Sequence, residues 1–283
     1  MNDLFGEIRS ILSRPPDATR WRHLCQLVDD ASDHRAIITQ ALPYIIAHLP
    51  PWPEQIRVAS PDAHRRLLEE EHIPPSLAMC THINLSHNAM VSSKRLTTNR
   101  LCQLADSSLF LASATRLDLR GQPIGNHALH TLADSPHFAH LHTLHLDNTC
   151  IDLRGLEQAL PTLPIAPCVL EHLTLSHLKL PDDAFTLLFE RGYLHQLTHL
   201  DLSHNELSDR ALSLTLPRLD RPLALTTLRL AFNKLTDQSA TLLAASTHIP
   251  HLTHLDLDYN LITGHGARTL SHSPHLWHTD ILC

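Results

Sequence analysis

Aromatic side chains are scarce. Phe, Trp and Tyr make up 4% of the 283 residues, although hydrophobic residues reach 43%. A core with so few rings must be packed from Leu, Ile, Val and Ala. Glycine is equally sparse, with 7 in the whole chain. No G-x-x-x-x-G-K-[ST], G-x-S-x-G or H-E-x-x-H segment occurs, which removes the phosphate-loop, nucleophile-elbow and zinc-protease signatures. The sequence therefore points away from an enzyme. Only Lys94, Lys179 and Lys234 represent lysine among 22 basic residues, and the formal net charge is −7. That balance lacks the basic face nucleic-acid binding requires. No apolar run approaches the ~20 residues needed to span a bilayer. The opening "MNDLFGEIRS" puts Asp3 and Glu7 where a signal peptide needs a basic end and an apolar run. The six cysteines are scattered without a C-x-x-C pair, as in a reduced compartment. The expectation is a cytoplasmic protein with no cofactor, no nucleic-acid partner and no membrane association.

Histidine, by contrast, is abundant, with 25 copies. Unperturbed imidazoles titrate near ~6.5, so the net charge should swing from acidic to basic on mild acidification.

The dominant signal is a repeat. The pattern L-x-x-L-x-L-x-x-N-x-L recurs as "CTHINLSHNAM", "ATRLDLRGQPI", "LHTLHLDNTCI", "LEHLTLSHLKL", "LTHLDLSHNEL", "LTTLRLAFNKL" and "LTHLDLDYNLI", with "LWHTDILC" as an eighth, partial copy. The asparagine position falls at Asn88, Gln122, Thr149, Leu178, Asn205, Asn233 and Asn260, with gaps of 34, 27, 29, 27, 28 and 27 residues. In x-L-x-L-x the leucines point to one side and their neighbours to the other, as in a strand. The asparagine can bond backbone where the chain turns; at Gln122, Thr149 and Leu178 a looser turn is expected. Ser208-Asp209, Thr236-Asp237 and Pro181-Asp182 then read as helix starts. A small residue follows at Ala128, Gly155, Ala184, Ala211, Ser239 and Gly266, allowing close approach of helix to strand. The 34-residue gap predicts a longer helix over 92–110.

This pattern resembles the leucine-rich repeat family. The 27–29-residue length and the L-[ST]-D-x-[small] helix start are similar to its ribonuclease-inhibitor-type subclass. The resemblance covers 78–283 and implies an α/β solenoid, with a curved parallel sheet inside and helices outside. It also implies a macromolecular partner on the concave strand face. Stacked repeats leave such a surface open and need their ends capped.

Residues 1–77 lack the repeat and read as a helical cap or companion domain. Helices are expected from "NDLFGEIRSILS", "DATRWRHLCQLVDD", "DHRAIITQALPYIIAHL" (broken at Pro43) and "PDAHRRLLEEE", with "PPWPEQIRVAS" as an irregular link. Some bacterial members of the family have comparable helical leaders, which is the basis for expecting a bacterial source.

The outward columns are the candidate site. One column holds His82, Arg116, Thr143, His172, His199, Thr227, His254 and His278, and the next Asn84, Asp118, His145, Thr174, Asp201, Arg229, Asp256 and Asp280. Strands lie ~4.8 Å apart, so the C-terminal half should present His172, His199, Asp201, Arg229, His254, Asp256, Asp258, His278 and Asp280. His204, Phe232 and Tyr259 would stand at its rim. The leading expectation is partner-protein binding there. Alternatives are a metal- or pH-responsive regulatory module, with His254, Asp256, His278 and Asp280 around one ion, or a specificity subunit for a separately encoded enzyme. The local cluster His137, His140, His142 and His145 does not converge on one point when placed on the repeat. A last strand without a following helix leaves an edge open to weak dimerisation.

Overall fold

In the computed structural model, residues 2–69, 73–87, 95–107, 109–159 and 169–283 are described. Eight short parallel strands form one sheet in the order of the chain: β1 His82–Asn84, β2 Arg116–Asp118, β3 Thr143–His145, β4 His172–Thr174, β5 His199–Asp201, β6 Thr227–Arg229, β7 His254–Asp256 and β8 Asp280–Leu282. Helices return the chain between strands: α6 Thr98–Ala105, α7 Gly125–Asp134, α8 Leu153–Ala159, α9 Asp182–Glu190, α10 Asp209–Thr215, α11 Asp237–Ala245 and α12 Gly264–Ser271. The two strand leucines of each repeat, such as Leu200 and Leu202, are buried between sheet and helices. The architecture is the expected α/β solenoid with a helical N-terminal segment.

The turns close on a buried polar ladder. Asn205 Nδ2 donates to the carbonyls of Leu175, Leu202 and Ser203, while its Oδ1 accepts from the N–H groups of Leu178 and Leu180. Asn233 repeats the arrangement with Leu202, Leu230, Ala231 and Leu207 N. Each side chain thereby ties its own turn to its neighbour's, satisfying groups that burial would otherwise orphan. The expected loosening at Gln122 does not occur. Its amide, one methylene longer, donates to Leu85 O at 2.7 Å and accepts from Leu96 N at 2.9 Å. Thr149 supplies one bond, 2.5 Å to Leu146 O. Leu178 leaves the ladder and joins the core. Asn88 lies outside the described residues.

A second ladder runs along the helix starts. Asp182, Asp209 and Asp237 each accept from both the backbone N–H and the hydroxyl of the next repeat's cap, Ser208, Thr236 and Thr263. This corrects the reading of the small-residue column. A Cβ added at Gly155 would collide with the Asn126 side chain and one at Gly266 with Asp237. At these two positions the close approach is between successive helix starts rather than between helix and strand.

The first repeat departs from expectation: α6 spans Thr98–Ala105, and Thr97 caps it by accepting from Arg100 N. The helix does not extend over 92–110, since the cap fixes its start and Asp106 its end; residues 92–94 and 108 lie outside the described ones.

The N-terminal segment forms α1 Asn2–Leu12, α2 Ala18–Asp29, α3 His34–Ala36, α4 Leu42–His48 and α5 Pro61–Glu69. The break at Pro43 takes the form of a π turn over Ile37–Ala41, with Leu42 N bonded to Ile37 O. Proline cannot donate to the carbonyl four residues back and its ring crowds it, and the widened turn absorbs that mismatch. The supposed irregular link carries order. Val58 bridges His82 in parallel, Thr81 N donates to Arg57 O and Ala59 N to His82 O. Residues 57–59 thus lie along the β1 edge, fixed by Trp21 Nε1 to Val58 O. One apolar core runs from Ile8 through the repeats to Leu276.

Candidate functional site

The outward strand positions gather as expected from β1 to β7, because the register is regular: His172 sits beside His199, Asp201 beside Arg229, and Arg229 beside Asp256. The last strand is different. His254 pairs with Asp280 and Asp256 with Leu282, a shift of two residues from the alignment on Leu276. A shift of two preserves which side chains face the core, so alternation alone cannot choose between the registers. The observed one places Ile281 rather than Thr279 beside Leu255. His278 therefore leaves the column and packs edge-on against Trp277. The proposed quartet of His254, Asp256, His278 and Asp280 does not assemble. Among the described residues no three His, Cys, Asp or Glu side chains converge as metal ligands.

The carboxylates of the second column have a structural duty. Asp201 Oδ1 accepts from Ser203 N at 2.9 Å and Asp256 Oδ1 from Asp258 N at 3.1 Å. Asp118 and Asn84 make the same contact with Arg120 N and Ser86 N. At Asp201 and Asp256 one oxygen thus ends the strand in a turn, leaving the other for display, whereas both oxygens of Asp118 hold the Arg120 guanidinium. Arg229 Nη1 lies 3.8 Å from Asp201 Oδ2.

Two contiguous depressions result. One, of about 350 Å³, is lined by Asp201, Arg229, His254, Asp256 and Asp280, with His204 and Phe232. The other, of about 320 Å³, is lined by His145, His172, Thr174, His199, Thr227, Arg229 and His254. They share Asp201, Arg229 and His254, so one groove crosses β3 to β8.

The rim is a stack of rings. His177 lies on His204 at 3.8 Å, His204 on Phe232 at 4.0 Å and Phe232 on Tyr259 at 4.1 Å, with planes within 16°. All four residues have positive φ, between 55° and 57°. Left-handed backbone costs a non-glycine residue about 1–2 kcal/mol; offset stacking returns about 0.5–1.5 kcal/mol per pair. Tyr259 ends the stack and is 74% exposed. Asp258 is half-buried beside it. His172 and His199 form a second stack, 4.0 Å apart.

Several strand-face imidazoles are held below their usual range. Burial lowers His145; for His172 and His199 burial is again the main cause, with the neighbouring imidazole and Arg116 or Arg229 adding to it. His204 is lowered by burial and by His177. His145, Thr174 and His177 belong to the site but were not picked out from sequence. The column of His145 and Thr174 was visible, yet only the fold shows which members touch.

Residues 193–214, 224–244 and 248–271 match the family model described as Leucine Rich repeat. No curated protein matches the chain. Among solved structures, the chain is similar to an internalin from Listeria monocytogenes, with 16% identity, TM-score 0.42, 74% of this chain and 48% of that one. Human 5T4, the trophoblast glycoprotein, gives 20% identity, TM-score 0.47, 81% of this chain and 86% of that one. A TDR receptor gives 15% identity, TM-score 0.38, and 72% and 30% coverage. This chain thus spans about half the internalin's length and less than a third of the receptor's. These TM-scores lie below 0.5, and the identification rests on the repeats themselves. With those matched repeats stacked on one parallel sheet, the chain is a leucine-rich repeat protein.

Proposed function

We propose that this protein is a non-enzymatic interaction module that binds a partner protein along the open strand face, in the groove from β3 to β8. The observation that carries the reading is the continuity of that groove, whose two halves share Asp201, Arg229 and His254. It offers charge and imidazoles on the strands, with the exposed Phe232 and Tyr259 on the turns at its rim, the residue mix that anchors protein interfaces. No helix of the described residues is long and apolar enough to cross a membrane, and the scattered cysteines favour a cytoplasmic setting. Residues 1–77 act as the cap on the β1 edge, since a solenoid end needs covering and residues 57–59 lie there. The 27–29-residue period favours the ribonuclease-inhibitor type of repeat.

The test is capture of a native partner by the wild type and by the triple variant Asp256→Lys, Asp258→Lys, Tyr259→Ala. Loss of a captured protein with an unchanged circular dichroism spectrum supports the reading. Equal capture places the binding surface elsewhere.

A second reading, a pH-responsive module, is favoured by the lowered strand-face imidazoles His145, His172 and His199. They stay neutral until the pH falls below the usual histidine range, and then place several positive charges in one groove. Partner affinity that is flat from pH 7.5 to 5 would refute it.

A further inference from the structure

The hydrogen bonds of the groove assign its chemistry more narrowly than its residue types do. Histidine is ambivalent, donating through one ring nitrogen and accepting through the other. Here the choice is made by threonines. Thr174 Oγ1 donates its only proton to Asp147 Oδ2 at 2.6 Å, and His145 Nδ1 lies 3.0 Å from Thr174 Oγ1. With that hydroxyl proton committed, His145 Nδ1 must carry its own hydrogen. Its Nε2 is then a bare lone pair. The arrangement recurs at His199, whose Nδ1 is 2.9 Å from Thr198 Oγ1, a hydroxyl that donates to Glu171 O. It recurs again at His254, 2.9 Å from Thr253 Oγ1, which donates to Thr226 O. No hydrogen-bond partner of the three Nε2 atoms is found among the described residues.

Three imidazole acceptors therefore share the groove with the carboxylates of Asp201, Asp256 and Asp280, against the single cation Arg229 among its lining residues. The face is rich in acceptors, carries excess negative charge, and includes the flat His172–His199 stack. Its complement is a group that only donates, is cationic, and is planar. Among side chains that is the guanidinium, which has five donors, no acceptor, and stacks on rings.

We infer that the occupant of the groove is an extended partner segment bearing arginine at alternate positions, its guanidinium groups bonded to the strand-face carboxylates and imidazole acceptors. This rests on the strand-face reading above and specifies its partner. From β3 to β8 are five strand spacings, roughly 24 Å at ~4.8 Å each, which an extended chain covers in about seven residues. Side chains of such a segment alternate, so about three would face the groove.

The experiment titrates the full chain with three capped heptapeptides, up to millimolar concentration, at near-physiological salt. One carries arginine at alternate positions with serine and glycine between; the others carry lysine or glutamate in those places. The arginine peptide should bind and should lose at least about tenfold in affinity to D201N/D256N, since the variant removes both carboxylate charges from charge-assisted hydrogen bonds. His254→Phe, which keeps a ring but removes the acceptor, should weaken it several-fold. The control D183N/D220N, which makes the same charge change at exposed positions outside the groove, should bind as wild type does. Equal loss in that control, equal binding of the lysine peptide, or no binding of the arginine peptide overturns the inference. Binding of the glutamate peptide, abolished by Arg229→Gln, overturns it while leaving the strand-face reading intact. If all three peptides fail and partner capture is also indifferent to the strand-face triple variant, both readings fall.

Discussion

His64 makes the protein's stability depend on pH in a calculable way. It sits on α5, is 6% exposed, and its Nε2 has no hydrogen-bond partner among the described residues. Burial pushes its pKa down to about 4. An unfolded histidine titrates near ~6.5, so the unfolded chain takes up the proton first on acidification. The neutral buried ring therefore contributes stability that is complete above about pH 6.5 and lost as the pH falls toward about 4. Linkage between those two values gives a loss of about 2 kcal/mol at pH 5 and about 3 kcal/mol at pH 4. Urea unfolding followed by circular dichroism at pH 7.5 and 5.0, on wild type and His64→Leu, isolates this contribution. Histidines distant from position 64 titrate equally in both proteins and cancel in the double difference. Wild type should lose about 2 kcal/mol more than the variant between the two pH values. Identical pH dependence would refute the assignment of a neutral, desolvated imidazole.

Three further outcomes follow from the repeat architecture. Asn233→Ala removes a side chain bonded to three carbonyls and one N–H; orphaning those buried groups should cost about 2–4 kcal/mol in chemical denaturation. At Phe232, with φ of 55°, glycine should be tolerated better than alanine by about 1 kcal/mol, because both lose the stacking but only alanine retains the left-handed strain. Gly266→Ala should destabilise, although alanine is the better helix former, because its Cβ would collide with Asp237 and lie 2.8 Å from Ile262 Cγ2; a raised melting temperature would contradict the packing described.

The solenoid was legible because its signal is repetition. Each leucine column answers to the same inward position, and the spacing of Asn205, Asn233 and Asn260 fixes the turns. What escaped the sequence has identifiable physical causes. A two-residue slip at β8 preserves the core-facing parity, so "LWHTDILC" fits two registers and His278 was misplaced. Gln122 replaces asparagine because its extra length still reaches Leu85 O, which a column of residue types does not reveal. The edge formed by residues 57–59 hides among prolines that suggest irregular chain. Within the candidate site, sequence gave the display positions but not the divided use of Asp201 and Asp256, which spend one oxygen on backbone. The ring stack from His177 to Tyr259 was likewise hidden. Its members share a column, but stacking depends on a left-handed conformation that aromatic residues seldom adopt.

The central claim is that a partner protein lies in the strand-face groove. A photo-crosslinking amino acid placed in cells of the native source at Thr227, on the groove wall, and separately at Gln238, exposed on α11, tests it directly. A discrete crosslinked adduct is expected from position 227 and none from 238. An adduct from 238 with none from 227 would put the partner on the helical face and contradict it.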